Sequence, residues 1–277
     1  MSLPLVVVPV FNAFEHLENC LESIRRSVPA DTQVLLIDDA STDQRVRPLL
    51  HSWVNKAKPY WRLLEHTENR GFVATANQGM SFADTDVVLL NSDTEVAGDW
   101  LQRLSACLES DSAIATCTPW SNNGEIVSIP VFCARNQSPK DADAIASVIA
   151  ACSSPEYPVI PTAVGFCMAI SNRAIKMVGL FDEATFGLGY GEENDFCQRA
   201  EQAGLLNVLC DDAYVVHHGG ASFGPLGLKP DENSMQRLLA KHPDYHLTVS
   251  EFIQTDPLSV RRKEILDCLE RAGILMR

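Results

Sequence analysis

Five short apolar runs in the first 120 residues constrain this chain most: "LPLVVVPVFN", "TQVLLIDDAS", "WRLLEHTEN", "DVVLLN" and "AIATCTPW". They are continuous rather than alternating, so each must be covered on both faces, as strands of a parallel sheet are. Between them lie segments with helical spacing. In "AFEHLENCLESI" the apolar residues fall at Phe14, Leu17, Cys20, Leu21 and Ile24, with Asn12 and Glu15 spaced as a capping box. "RVRPLLHSWVNKA", "FVATANQGMSFA" and "GDWLQRLSACLES" repeat the pattern. The rhythm predicts an α/β fold with a mostly parallel central sheet flanked by helices. Right-handed crossovers then bring the carboxyl ends of the strands to one edge, where ligands of open α/β sheets bind.

Residues 121 to 160 break the rhythm, being rich in Ser, Asn and Pro with one helical piece near Asp141 to Ala150. They read as an insertion over that edge. "VIPTAVGFCMAISNRAIKMVGLFDE" resumes strand and helix from Val159. Beyond about Pro225 the chain turns polar and helical. The expected division is a main domain over 1–225 and a C-terminal helical extension over 226–277.

The net charge of -14 excludes a basic nucleic-acid face. Nine cysteines are scattered without a C-x-x-C pair, which predicts buried free thiols and no zinc site. The apolar run at Leu3 to Phe11 is too short, and too interrupted by proline, for a signal or a span, so a cytoplasmic location is expected.

Three strand ends or turns carry acids: Asp38 and Asp39 in "LLIDDAS", Asp93 in "LLNSD", and Glu192, Glu193 and Asp195 in "GEENDF". A lone acid there is ordinarily a turn or cap residue. Three clusters on one edge repel one another unless a cation or a hydroxylic ligand offsets the charge. Glu95 reads as a solvent or helix-start residue.

Seven segments in order, from "VVVPVFNAFEHLENCLESI", "VLLIDDASTD" and "ENRGFVATANQG" through "VVLLNSDTEV" and "AVGFCMAIS" to "LFDEATFGLGYGEENDFCQRA" and "VVHHGGASF", resemble the inverting glycosyltransferases of family two. The resemblance covers roughly residues 3 to 225 and is nearest to the rhamnosyltransferase-like bacterial branch. It implies the GT-A nucleotide-diphospho-sugar transferase fold. It implies transfer of a sugar from a UDP- or dTDP-linked donor to an acceptor hydroxyl of a carbohydrate, lipid-linked or protein acceptor, in polysaccharide or glycoconjugate assembly. By position, Pro9, Phe11 and Asn12 would line the nucleotide pocket, and Asp38 or Asp39, with Asp39 favoured, would accept the base N3–H. Asn69 and Gly71 would sit by base and ribose, and Asn77 toward the diphosphate. Asn91, Ser92 and Asp93 occupy the place of the D-x-D motif, with Asn for the first acid. The resemblance makes Asp93 the ligand of Mg2+ or Mn2+, joined by His217 or His218, the family pattern favouring His217. Glu193 would be the general base and Asp195 the runner-up, while Gly165 would permit close approach and Ser222 would meet phosphate. The C-terminal helices would serve a homodimer or docking near a lipid-linked acceptor at a membrane surface.

Two other classes compete. A sugar-nucleotide nucleotidyltransferase needs a Gly- and Arg-rich loop where this chain has "PVFNAFE", and a non-catalytic binding module would not keep "GEEND". A glycosidase has no use for the "IDDAS" and "NSD" pair.

Overall fold

The structure, a computed structural model, describes residues 3–187, 189–219 and 232–276. Ser222 and the boundary near 225 lie outside the described residues. The first strands and helices are β1 (Leu5–Val10), α1 (Phe14–Ser27), β2 (Val34–Asp38), α2 (Val46–Lys56), β3 (Trp61–Glu65), α3 (Phe72–Ser81), β4 (Val87–Leu90) and β5 (Thr94–Val96). There follow α4 (Trp100–Ser110), β6 (Ile114–Trp120), α5 (Ala142–Cys152), β7 (Cys167–Ile170), α6 (Asn172–Val178), α7 (Glu183–Phe186), α8 (Glu192–Gln202) and β8 (Leu206–His217). The chain ends in α9 (Glu232–Lys241), α10 (Tyr245–Thr255) and α11 (Ser259–Arg271).

The strands form one sheet in the order β3-β2-β1-β4-β7-β6-β8-β5. Its first half is parallel, as the unbroken apolar runs require: Val7 pairs with Leu35 and with Leu89, and Leu36 with Leu63. The second half is mixed. β7 runs antiparallel to both β4 and β6, and β5 antiparallel to β8. This reversal places the start of β7, not its end, at the carboxyl edge of β1, β2 and β4. Pro9 lacks an N–H, yet β1 tolerates it because the ladder with β4 has ended at Val7–Leu89.

Two apolar layers cover the sheet. On one face Leu17, Leu21, Trp100 and Leu104 pack with Trp120 and with Ile265 and Leu269 of α11. On the other, Val73, Met80 and Phe196 pack with Met168, Leu238 and Tyr245. The C-terminal helices thus close both cores. Gly79 of α3 lies so close to β1 that a Cβ would stand 2.3 Å from Val7 Cγ1, so this crossing needs glycine.

Two local expectations are corrected. Asn12 does not cap α1. Asn12 and Ala13 both have φ of +56°, and the Asn12 side-chain oxygen accepts from Thr42 N and Asp43 N at 2.9 Å each. The amide is worth more stitching the β1 and β2 loops together than closing a helix. The cysteines are not all free: Cys152 of α5 and Cys268 of α11 form a disulfide across 116 positions. Six others are buried thiols and Cys133 is exposed. Sequence spacing cannot reveal a pair brought together by helix packing.

Among the described residues no helix is long and apolar enough to cross a membrane.

Candidate active site

The edge is built strand by strand. After β2, Asp38 and Asp39 turn inward and are buried. Asp38 accepts from Ser41 N at 3.0 Å and pairs with Arg47 Nε at 3.0 Å, so its carboxylate is committed to its own turn. Asp39 holds the loop before α3: it meets His66 Nδ1 at 2.7 Å and accepts from Arg70 N at 2.8 Å and Gly71 N at 2.9 Å. Asn69 Oδ1 accepts from the same Gly71 N–H at 3.1 Å. The expected nucleotide residues Asp39, Asn69 and Gly71 therefore meet in one hydrogen-bonded loop. Pro9, Phe11 and Asn12 lead out of β1 beside it, with Asn12 N donating to Ser41 Oγ at 2.9 Å. Asn77 does not join them. Its amide donates to Phe181 O at 3.0 Å and accepts from Phe181 N at 2.9 Å, so both polar atoms tie α3 to the backbone before α7.

The short β5 strand arranges the next part. Thr94 lies opposite His217, and His218 N donates to Asp93 O at 3.0 Å. The buried Asp93 thereby faces the His217 ring, with Oδ1 3.6 Å from Nε2, too far for a hydrogen bond. His217 Nδ1 lies 2.7 Å from the Asn123 carbonyl, which only accepts. That bond places a proton on Nδ1 and turns Nε2 toward Asp93. Asn122 grips the backbone of the same histidine at both ends, accepting from His217 N at 2.9 Å and donating to His217 O at 3.1 Å. Ser92 Oγ is buried nearby with no hydrogen-bond partner among the described residues. His218 turns the other way, as successive strand residues do. Its Nε2 lies 2.8 Å from Glu95 Oε1, and this bond, with burial opposing it, holds the Glu95 carboxyl below its ordinary range. Glu95 is thus engaged, not a solvent residue, and His217 rather than His218 faces Asp93.

The antiparallel β7 brings in the last wall. Phe166, just before it, accepts from Asn91 N at 2.9 Å and stacks on the His217 ring at 5.2 Å. Its neighbour Gly165 lies beneath Glu193, whose carboxyl atoms stand 3.8 Å from where a Cβ would be. Glu193 projects from the first turn of α8, which starts from Gly191 at φ +109°, a conformation that favours glycine. Burial raises the Glu193 carboxyl above its ordinary range, and the negative charge of Glu125 adds to this. Glu192 is raised well above its ordinary range, by burial and by the charge of Glu193. Neither Glu192 Oε2 nor Glu193 Oε2 has a hydrogen-bond partner among the described residues.

Asp195, the runner-up base, belongs elsewhere. It is fully buried and pairs with Arg199 Nε at 2.8 Å, Lys241 Nζ at 2.6 Å and His242 Nε2 at 2.9 Å. Burial opposes its charge, but these three donors hold the carboxyl below its ordinary range. The cluster joins α8 to α9. Asp195→Ala strands the Arg199 and Lys241 charges and the His242 ring, and we expect a loss of about 3 kcal/mol in urea unfolding. A change within about 0.5 kcal/mol, the size of an ordinary surface substitution, would contradict the hub.

Sequence reading missed His66, Glu125, Asn122 and Asn123. A signal existed for the asparagines, a polar pair directly after a strand on the active edge; none existed for the turn that aims Glu125. Among the described residues no group of three or more His, Cys, Asp or Glu side chains converges for a metal. The donor set is Asp93 and His217. Two protein ligands suit Mg2+ or Mn2+, which complete their shells with phosphate oxygens and water, so the residues fit such an ion.

Solved structures of glycosyltransferases share this α/β fold. The chain matches GalNAc-T7 with UDP, GalNAc and Mn2+ at a TM-score of 0.62 and 16% identity, over 96% of this chain and 54% of that one. It matches the mannosyltransferase PcManGT of Pyrobaculum calidifontis, in complex with GDP-Man and Mn2+, at 0.58 and 16%, over 99% and 77%. It matches S. aureus TarS 1-349 in complex with UDP-GlcNAc at 0.58 and 14%, over 98% and 80%. At these identities the likeness shows the GT-A fold.

Residues 5–175 match the model of Glycosyl transferase family 2, and the chain belongs to that family. It is 29% identical over 114 residues to the uncharacterized glycosyltransferase YibD of Escherichia coli strain K12, covering 40% of this chain and 32% of that one. It is 29% identical over 103 residues to glycosyltransferase GlyG of Streptococcus pneumoniae serotype 4, covering 36% and 33%. The matches thus span about a third of the length of these relatives.

Proposed function

We propose that this protein is an inverting glycosyltransferase that moves a sugar from a UDP- or dTDP-linked donor to an acceptor hydroxyl. One observation carries the reading. Gly165 and Phe166, adjacent in sequence, hold the two halves of the chemistry together, Glu193 over Gly165 and His217 against Phe166. A base and a candidate metal-ligand pair therefore share one wall of the edge.

Asp39 and the 66–71 loop would receive the base of the nucleotide, and Asn91 to Asp93 the diphosphate side. Asp93 and His217 would hold Mg2+ or Mn2+, which when bound neutralises charge growing on the departing nucleoside diphosphate. Glu193 removes the proton of the attacking hydroxyl at its carboxylate. Burial helps it, because a raised carboxyl is a stronger base. Glu192, its carboxyl raised further by burial and by the charge of Glu193, would stay neutral beside it and leave Glu193 as the ionised member of the pair. One ionised carboxylate suffices, since the leaving group is already good; a glycosidase needs a second, protonated one to assist departure. Attack opposite the leaving group inverts the anomeric configuration. The acceptor would be a carbohydrate, lipid-linked or protein hydroxyl in glycoconjugate assembly, with residues 226–277 an extension serving a dimer or a membrane-side acceptor.

Thermal unfolding with UDP-sugars and dTDP-rhamnose, in Mn2+ or EDTA, tests the donor site. A nucleotide at one hundred times its Kd stabilises the fold by about 2.7 kcal/mol, so a clear rise in Tm is expected with Mn2+. If no donor shifts the transition under either condition, the reading fails. Released nucleoside diphosphate then identifies the sugar.

A further inference from the structure

A cavity of about 390 Å³ opens beside the edge, between the first turn of α1, the loop after β6 and the end of β8. Its walls include His16, Asn122, Arg135, Gln137, Ser138 and His218. They are all polar, and none is acidic. In a chain of net charge -14, Arg135 is notable: among the described residues it forms no ion pair. It donates once, to His218 O at 2.8 Å, and its remaining N–H donors are uncommitted. The His16 ring stacks on His218 at 4.6 Å, and neither of its ring nitrogens has a hydrogen-bond partner among the described residues. The Ser138 hydroxyl meets His218 Nδ1 at 3.2 Å, while Glu95 sits behind, holding Nε2 of that ring.

We infer that this cavity holds a phosphate group carried by the acceptor, outside the sugar that reacts. A guanidinium with unused forked donors, an imidazole N–H, a primary amide and a hydroxyl are the groups that receive a phosphate. The cavity is distinct from the donor's own diphosphate place, because the His218 ring, one residue past β8, is turned to Glu95 and Ser138 while the His217 ring is turned to Asn123 and Asp93. It is also coupled to it. Asn122 lines the cavity and clamps the His217 backbone at 2.9 and 3.1 Å, so a filled pocket braces the residue that faces Asp93. The word acceptor rests on the transferase reading; the binding itself does not.

Calorimetric titration of the full chain with glycerol 3-phosphate, with and without saturating UDP and Mg2+, tests this. Binding is expected in both conditions with similar affinity, and none with glycerol. Arg135→Gln should weaken glycerol 3-phosphate about tenfold, roughly one charge-assisted hydrogen bond, and leave UDP affinity unchanged. His16→Gln should weaken it in the same direction. Absence of glycerol 3-phosphate binding, or indifference to both substitutions, overturns the inference. Displacement by UDP also overturns it, since the phosphate would then occupy the donor's place. Failure of UDP itself to bind sinks the transferase reading instead.

Discussion

Glu193→Gln is expected to lower kcat about 10³-fold while nucleotide affinity stays unchanged, a loss within the roughly 10²–10⁴-fold that a positioned base supplies. The amide keeps the size of the side chain over Gly165 and cannot take a proton. The fold should not suffer, since the substitution removes a charge whose burial is unfavourable. The wild-type pH profile carries the same information. Burial, with the charge of Glu125, raises the Glu193 carboxyl, and the base works only when ionised. Activity should therefore fall as pH drops through a value above the ordinary Glu range of about 4.3, and the limb should vanish in the variant. Steady-state kinetics across pH checks both. Full activity in Glu193→Gln would move the base elsewhere, and Asp195 is already engaged by Arg199, Lys241 and His242.

Asp93→Ala should abolish the metal dependence of nucleotide binding. Removing an outer partner of a metal ligand commonly costs roughly 10–100-fold in affinity, so losing a direct ligand should cost at least that. UDP affinity in Mn2+ should fall to its value in EDTA. His217→Ala should act in the same direction, while His218→Ala should leave the Mn2+ effect intact, because that ring is turned to Glu95. Isothermal titration of UDP at fixed Mn2+ measures all three. Equal losses for both histidines would contradict the opposed orientation of the two rings.

The strand ends were legible because continuous apolar runs admit few alternatives and the crossover rule aligns their ends. Asp39 and Asp93 could be placed on one edge from that alone. The antiparallel β7 was not legible, since a short apolar run carries no direction. It nevertheless decides the site, by delivering Gly165 and Phe166 between Glu193 and His217. β5 is three residues long and hid inside what reads as a turn, which is why Glu95 lost its partner. Glu193 and Asp195 look alike in sequence. They are separated by the end of α9, where Lys241 and the following His242 pair with Asp195 and not with Glu193. Asn12 and Asn77 illustrate the same limit, for an amide that closes a distant backbone turn cannot be told from one that meets a ligand. The Cys152–Cys268 bond likewise exists only because α5 and α11 pack together.

The central claim is that Asp93 and His217 define the donor's metal site on the edge that also carries Glu193. A crystal structure with UDP and Mn2+, read at the manganese absorption edge, tests it most directly. An anomalous peak is expected in contact with Asp93 Oδ1 and His217 Nε2, with the uracil ring against Asp39. A manganese peak away from both residues, or a nucleotide bound at another edge of the sheet, would contradict it.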